Sequence, residues 1–296
     1  MSQWETTTNH PVRFGLRASQ HHRSWAQIRE AFVAADEWGL ESAWVFDHMI
    51  PLSDPRTGPN LEGWTLLAGL AEATNNVMLG TMVTGITYRN PSLLLKEAVT
   101  VDHISNGRAL LGVGAAWFEG EHEMFGFEYP GNGERVSRFR EALEMFELLL
   151  TQDTTTYDGT YYQLKGAIFE PKPVQTKDGT PHMPVVIGGS GDRMLRIIAK
   201  HADWWDNNFR DDNEYRERLG KIEAACAKLG RDPKEIRRST TLGVDFTKGS
   251  EKEQRKRLDQ LRALGITDYL FAVPADVSEM RGFVEKVIPE LRQAWG

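Results

Sequence analysis

Short apolar runs alternate along this chain with longer stretches in which apolar residues return every three or four positions. The runs at 12–18, 42–47, 77–84, 108–115, 184–189, 203–207, 238–246 and 267–273 have the length and bounding turn residues of buried strands. The stretches between them read as helices. Ser24 offers a cap with Gln27 three residues on, Ile28, Ala31, Phe32 and Ala35 follow at helical spacing, and Gly39 ends the segment. Further helices are expected at 61–73, at 91–105 opening on Pro91, at 135–150, near 191–201, at 211–229, at 251–264 and at 277–294. Residues 152–183 break the rhythm: they predict a hairpin around Asp158-Gly159 and a proline-rich loop.

Strands alternating with helices in this number predict an α/β fold, a closed (β/α)8 TIM barrel, with the 152–183 segment inserted between the fourth helix and the fifth strand. The whole chain, 1–296, is expected to form one barrel domain, with the insertion near the active-site face. Loops 49–60, 118–133 and 159–183 are then expected to build the substrate pocket. An open doubly wound sheet is the rival. Against it, no Gly-x-Gly-x-x-Gly run follows the first strand, and "GVGAAW" after the fourth has an aromatic residue where a helix should start.

Composition narrows the function. The 296 residues are 40% hydrophobic and 26% charged, as in a folded globular protein, and the formal charge of -7 argues against a broad nucleic-acid surface. No apolar run is long enough to span a membrane. The opening "MSQWETTTNHP" lacks the basic start and apolar core of a secretory signal and reads as a frayed lead. Cys226 stands alone in a charged helical segment, so no internal disulfide is expected. A cytoplasmic location is expected.

In a barrel, chemistry gathers at the C-terminal ends of the strands. Asp47 and His48 close the run "SAWVFDHMIP", and Gly85, Gly114, Glu119, Glu121, Gly188, Gly189, Asn207 and Asp245 occupy similar ends. By position alone, Asp47 is a site residue or a loop cap, and His48 a site residue or a packed ring. "VIGGSGDRML" sets Gly188, Gly189, Ser190 and Gly191 before a helix, a turn whose backbone N–H groups suit an anion. It lacks the Gly-Lys-Ser/Thr end of a Walker loop, and a bare tight turn reads equally well. The eight histidines are scattered, with no His-Glu-x-x-His and no cysteine pair, so no metal is expected. Trp44, Trp64 and Trp117 lie near strand ends, where they wall a pocket for a flat cofactor or pack the core.

Taken together, "ADEWGLESAWVFDHM", "EGWTLLAGLAEAT", "LGTMVTGITYRNPSLLLKEAVTVDHISNGRALLGVGAAWFEGEHEMFGFEYP", "GERVSRFREALEMFELLL", "YDGTYYQLKGAIFEPKPVQ" and "PVVIGGSGDRMLRIIAKHADWW" resemble the luciferase-like monooxygenase superfamily, in its coenzyme F420 (deazaflavin) oxidoreductase branch. The resemblance spans most of 12–207; the C-terminal third matches only as barrel elements. It implies F420, with flavin mononucleotide (FMN) as the alternative cofactor. It implies that Asp47 bonds the ring, that His48 lies beside its reactive edge, and that Glu121 is a second proton-transfer candidate. A cis non-prolyl peptide is implied near Met82-Val83, with Thr84 facing the pyrimidine side. Gly114, Ala115 and Trp117 would line the pocket, and the Gly188–Gly191 turn would hold the phosphate. Where relatives have "GAG" before the tryptophan this chain has "GAA", so Ala116 replaces a glycine. The reaction implied is hydride transfer to or from a small organic substrate by a homodimer. The alternatives are an FMN monooxygenase served by a flavin reductase, and a non-catalytic barrel.

Overall fold

The computed structural model describes residues 12–295; the N-terminal lead, with His10, lies outside the described residues. The barrel strands are β1 (Arg13–Arg17), β2 (Ser42–Val45), β3 (Met78–Thr81), β4 (Ala109–Gly114), β5 (Val185–Gly188), β6 (Trp204–Asp206), β7 (Arg237–Leu242) and β8 (Asp268–Ala272). Every neighbouring pair is parallel, and β1 pairs with both β2 and β8. The β4–β5 ladder, with Val113 opposite Ile187, closes the ring. Burial on both faces explains the apolar runs: every residue of β2 and β4 is buried.

The helices are α1 (Trp25–Glu37), α2 (Gly63–Glu72), α3 (Pro91–Ile104), α4 (Glu119–Phe125), α5 (Asn132–Thr151), α6 (Asp192–His201), α7 (Asp212–Leu229), α8 (Glu251–Ala263) and α9 (Ile288–Trp295). The Ser24–Gln27 capping box forms, and α1 buries Ile28, Ala31, Phe32 and Ala35. The last helical segment is less regular than its spacing predicts. A 3-10 turn at Val277–Met280 and a π turn at Phe283–Val287 precede α9. Pro289 explains the π turn, because it has no N–H for the i−4 carbonyl. The seventh strand also stops early, at Leu242. Phe246 turns instead to pack on Phe271 and Phe283, which leaves Asp245 exposed in a loop outside the cavity described below.

The barrel interior is filled, not open. Trp44, Met78, Met82, Leu110, Val186, Trp204 and Leu270 form one buried cluster inside it, with Trp44 edge-on to Trp204 at 5.1 Å. Beneath them, at the N-terminal end, Asp268 accepts from Arg13 Nε and Arg237 Nε, each at 2.9 Å. The Arg13 guanidinium also lies 5.0 Å from the Trp204 ring.

The insertion is a hairpin, Thr155–Asp158 with Gln163–Ala167, and a smaller one at Thr176–Lys177 with Thr180–Pro181. Its expected place at the active-site face is corrected. Helix α5 carries the chain away from that face, so the segment before β5 has to begin at the other end. Lys172 Nζ donates to the carbonyls of Leu149 and Gln152 at the end of α5, and Gln175 Nε2 donates to Ala109 O at the start of β4. No residue of 152–183 lines the cavity.

Candidate active site

The last residues of β1, β4, β5 and β6 open into one cavity of about 1150 Å³. Met82, Val83 and Thr84 line one wall, Gly114, Ala115 and Trp117 the next, and Gly188, Gly189, Ser190 and Gly191 a third. His48 also faces it, with the Trp117 ring 5.8 Å away. Of the residues that the resemblance places at the site, Asp47 and Glu121 are off the wall, and so are the strand-end candidate Asp245 and the aromatic candidates Trp44 and Trp64.

Glu121 is completely buried behind His48. Its Oε2 lies 2.8 Å from His48 Nδ1 and accepts from the Tyr88 hydroxyl, while Oε1 accepts from the backbone N–H of Met49 at 2.6 Å and Ile50 at 3.2 Å. Burial raises the Glu121 pKa, but the bonds from His48, Tyr88 and Met49 outweigh it, so the group stays below the ordinary glutamate value. Burial and then the Glu121 bond push the Tyr88 phenol up, which keeps it a donor. An ionised, acceptor-only Glu121 requires a proton on His48 Nδ1. Neutral His48 therefore carries its lone pair on Nε2, which has no hydrogen-bond partner among the described residues. Glu121 thus contacts His48 from the side away from the cavity. Helix α4 holds it there: His122 beside it stacks on Tyr88 at 4.7 Å and bonds Thr87 Oγ1 at 2.6 Å.

Asp47 also stands off the cavity lining. Its carboxylate accepts from Arg89 Nη1 at 2.5 Å and Nη2 at 3.2 Å, and Arg89 also reaches Glu62 at 3.0 Å and Glu97 at 3.4 Å. The side chain is fixed behind the wall by a partner 42 residues away in sequence. Two of the tryptophans move inward as well. Trp44 belongs to the barrel interior, and Trp64 is buried with Nε1 on Thr84 Oγ1 at 2.9 Å. The Thr84 hydroxyl is thereby committed to Trp64 and, at 2.9 Å, to Thr81.

The peptide between Met82 and Val83 is cis, at the position implied by the resemblance. Val83 projects between two glycines. A Cβ on Gly114 would lie 3.1 Å, and one on Gly188 3.3 Å, from Val83 Cγ2, so glycine at both positions keeps this wall flat. Beyond it, α6 starts at Gly191 with no side-chain cap, leaving its positive end open beside the cavity. Ala116 keeps a backbone suited to glycine, with φ of 64°.

Several lining residues escaped the sequence reading. Arg135 is buried in the early part of α5, where a cation opposes the helix dipole; that misplacement was the available signal. Its Nη1 donates to Pro130 O at 2.5 Å and its guanidinium lies 3.8 Å from the Tyr129 ring, with no carboxylate partner among the described residues. Arg17 and Asp206 end β1 and β6 on the cavity side. Asn207, the next residue and already a strand-end candidate, accepts from Arg218 Nη1 through Oδ1 at 2.8 Å and keeps Nδ2 buried with no hydrogen-bond partner among the described residues. Among the described residues no group of three or more His, Cys, Asp or Glu is arranged to hold a metal ion, and no helix is long and apolar enough to cross a membrane.

Known proteins resemble this chain in sequence and in fold. Residues 6–291 match the family described as luciferase-like monooxygenase. The chain is 31% identical over 226 residues to an F420-dependent glucose-6-phosphate dehydrogenase of Microbacterium testaceum, covering 75% of this chain and 64% of that protein. A protein of the same description from Amycolatopsis mediterranei is 33% identical over 206 residues, covering 67% and 61%. The chain thus spans less than two thirds of the length of these two relatives. In structure it is similar to an F420-dependent secondary alcohol dehydrogenase in complex with an F420–acetone adduct, with a TM-score of 0.83, 20% identity and coverage of 94% and 98%. It is also similar to the coenzyme F420-dependent tetrahydromethanopterin reductase of Methanopyrus kandleri, with a TM-score of 0.79, 18% identity and coverage of 94% and 99%. The structural likenesses establish a shared fold, and with the family match they lead to one conclusion: this chain belongs to the luciferase-like monooxygenase family.

Proposed function

We propose that this protein is a coenzyme F420-dependent oxidoreductase acting on a small organic substrate. The observation that carries the reading is the cavity itself, in which a flat Gly114–Val83–Gly188 wall, an uncapped helix end and His48 converge. The wall suits one face of a planar ring. The N-terminus of α6, Ser190 and the Arg135 cation, which has no carboxylate partner among the described residues, suit an anionic tail. Coenzyme F420, when bound, gives or takes a hydride at carbon C5 of its deazaflavin ring. Relatives described as F420-dependent support the choice of cofactor.

The chain's own residues manage the proton. Glu121 fixes His48 in the tautomer that leaves Nε2 free. In the oxidising direction Nε2 takes the proton of the substrate hydroxyl, and in the reducing direction it returns one. Tyr88 and the Met49 N–H keep Glu121 ionised and in place. Trp117 and Leu52 line the cavity and limit water there. The same reading includes a homodimer, with exposed Leu93 and Ile104 of α3 as apolar contact surface; a concentration-independent monomer mass in light scattering would exclude it.

Titration of the purified protein with F420 and with FMN, followed by tryptophan fluorescence, tests the cofactor. Saturable F420 binding at least ~10-fold tighter than FMN binding is expected. The reverse order would transfer the site to a flavin.

A further inference from the structure

Two charges at the cavity floor remain outside the proton chemistry. Arg17 is the last residue of β1 and Asp206 the last of β6, and both line the cavity. Strand β7 holds each by a different hydroxyl. Ser239 Oγ donates to Asp206 Oδ1 at 2.7 Å, and Arg17 Nη1 donates to Thr241 Oγ1 at 3.1 Å. Phe46 packs under the guanidinium, 4.3 Å from its carbon to the ring centre. The two groups feel each other's charge. Burial lowers the Arg17 pKa and raises that of Asp206, and in each case the other's charge works against burial. Yet no ion pair joins them among the described residues. Arg17 Nη2 and Asp206 Oδ2 have no hydrogen-bond partner among the described residues.

Opposite charges anchored separately and lining the same cavity select what lies between them. An anion would meet Asp206, and a cation would meet Arg17. A carbonyl oxygen accepts from Arg17 but leaves Asp206 unanswered. A hydroxyl answers both, because its oxygen accepts from the guanidinium while its hydrogen goes to the carboxylate. A vicinal pair of hydroxyls spans a wider gap in the same way.

We propose that Arg17 and Asp206 form a polar clamp for a substrate hydroxyl other than the one that reacts, which makes the preferred substrate a diol or polyol and not a simple alcohol. This rests on the oxidoreductase reading for the reacting hydroxyl at His48, but the clamp itself is tested by binding alone.

The probes are 2,3-butanediol and 2-butanol, which differ by one hydroxyl. Binding of each is followed by tryptophan fluorescence, with and without F420, in the parent, Asp206→Asn and Arg17→Met. Thermal melts accompany every variant. The parent is expected to bind the diol at least ~10-fold more tightly than the mono-alcohol, since a site built to bond a hydroxyl rejects the analogue that lacks it. Each variant is expected to bring that ratio towards one, and Arg17→Lys to restore part of it. A parent ratio near one, or a ratio that survives both substitutions, overturns the clamp. So does a variant that loses F420 affinity while keeping its ratio, which assigns the pair to the cofactor. Failure of the parent to bind F420 would sink the oxidoreductase reading alone, because the diol ratio of the cofactor-free protein still decides the clamp.

Discussion

The two ends of the barrel use the same residue types differently. At the N-terminal end Arg13 of β1 is bonded to Asp268, which also takes Arg237, and all three are buried. Arg17 leaves the opposite end of the same strand, on the same inward side, and meets no carboxylate directly among the described residues. Asp206 likewise keeps an oxygen open to the cavity. One end spends its charges on the fold, and the other holds them ready for a ligand. A buried pair matched within the protein stabilises only while both partners remain, whereas charges held apart in a cavity have value only when something binds.

The largest expected effect tests the closed end. Asp268→Asn removes the carboxylate shared by two buried guanidinium groups and should destabilise the protein by about 3–5 kcal/mol in urea unfolding. Asp206→Asn, at the open end, should cost far less; equal losses would erase the contrast. Next comes the proton path. Once a substrate is in hand, His48→Ala should slow single-turnover hydride transfer about 10²–10⁴-fold. Glu121→Gln should slow it too, because Gln can donate to Nδ1 and so move the proton to Nε2. Parental rates in Glu121→Gln would make that carboxylate mere packing.

Acid sharpens the comparison at the closed end. Burial raises the Asp203 pKa, but His182 at 2.8 Å, Lys177 at 3.0 Å and the Val185 N–H outweigh it and hold the group at about 2. A depressed folded pKa means stability that is present above about pH 4 and lost as pH falls towards 2, on the order of 2 kcal/mol. Asp203→Asn should lack that part of the acid-unfolding slope. A smaller effect concerns Asp47. If it acts through Arg89, then Asp47→Asn and Arg89→Met should weaken F420 binding alike, and the double variant should lose no more than either alone. Additive losses would restore direct contact between Asp47 and the ring. Smallest of all, Ala116→Gly should relieve the left-handed backbone and raise stability by about 0.5–1 kcal/mol, read as a small rise in the melting midpoint.

What the sequence revealed follows from these physical differences. Strands buried on both faces leave unmistakable apolar runs, and local caps such as Ser24–Gln27 are written within four residues. The barrel was legible for that reason. So were the glycine turn and His48, which break the pattern where a strand ends. Partners distant in sequence were not. Nothing near Asp47 announces Arg89, and nothing near His48 announces that Glu121, 73 residues on, stands behind it. Arg17 and Asp206 obey the same strand-end rule as His48 but sit in "RFGLR" and "WWD", where a single charge at the edge of an apolar run passes for a boundary residue. The insertion was misplaced because its composition says loop, while its position depends on the direction in which α5 runs.

The most direct test of the account is the shift in unfolding free energy produced by F420 in the parent, in Arg135→Met at the open end and in Asp268→Asn at the closed end. A ligand that binds only the folded state stabilises by about 2.7 kcal/mol at a hundred times its Kd. The account predicts that increment in the parent, the same increment from a lower starting stability in Asp268→Asn, and a smaller one at the same F420 concentration in Arg135→Met. No increment in the parent, or one that disappears in Asp268→Asn and persists undiminished in Arg135→Met, would contradict it.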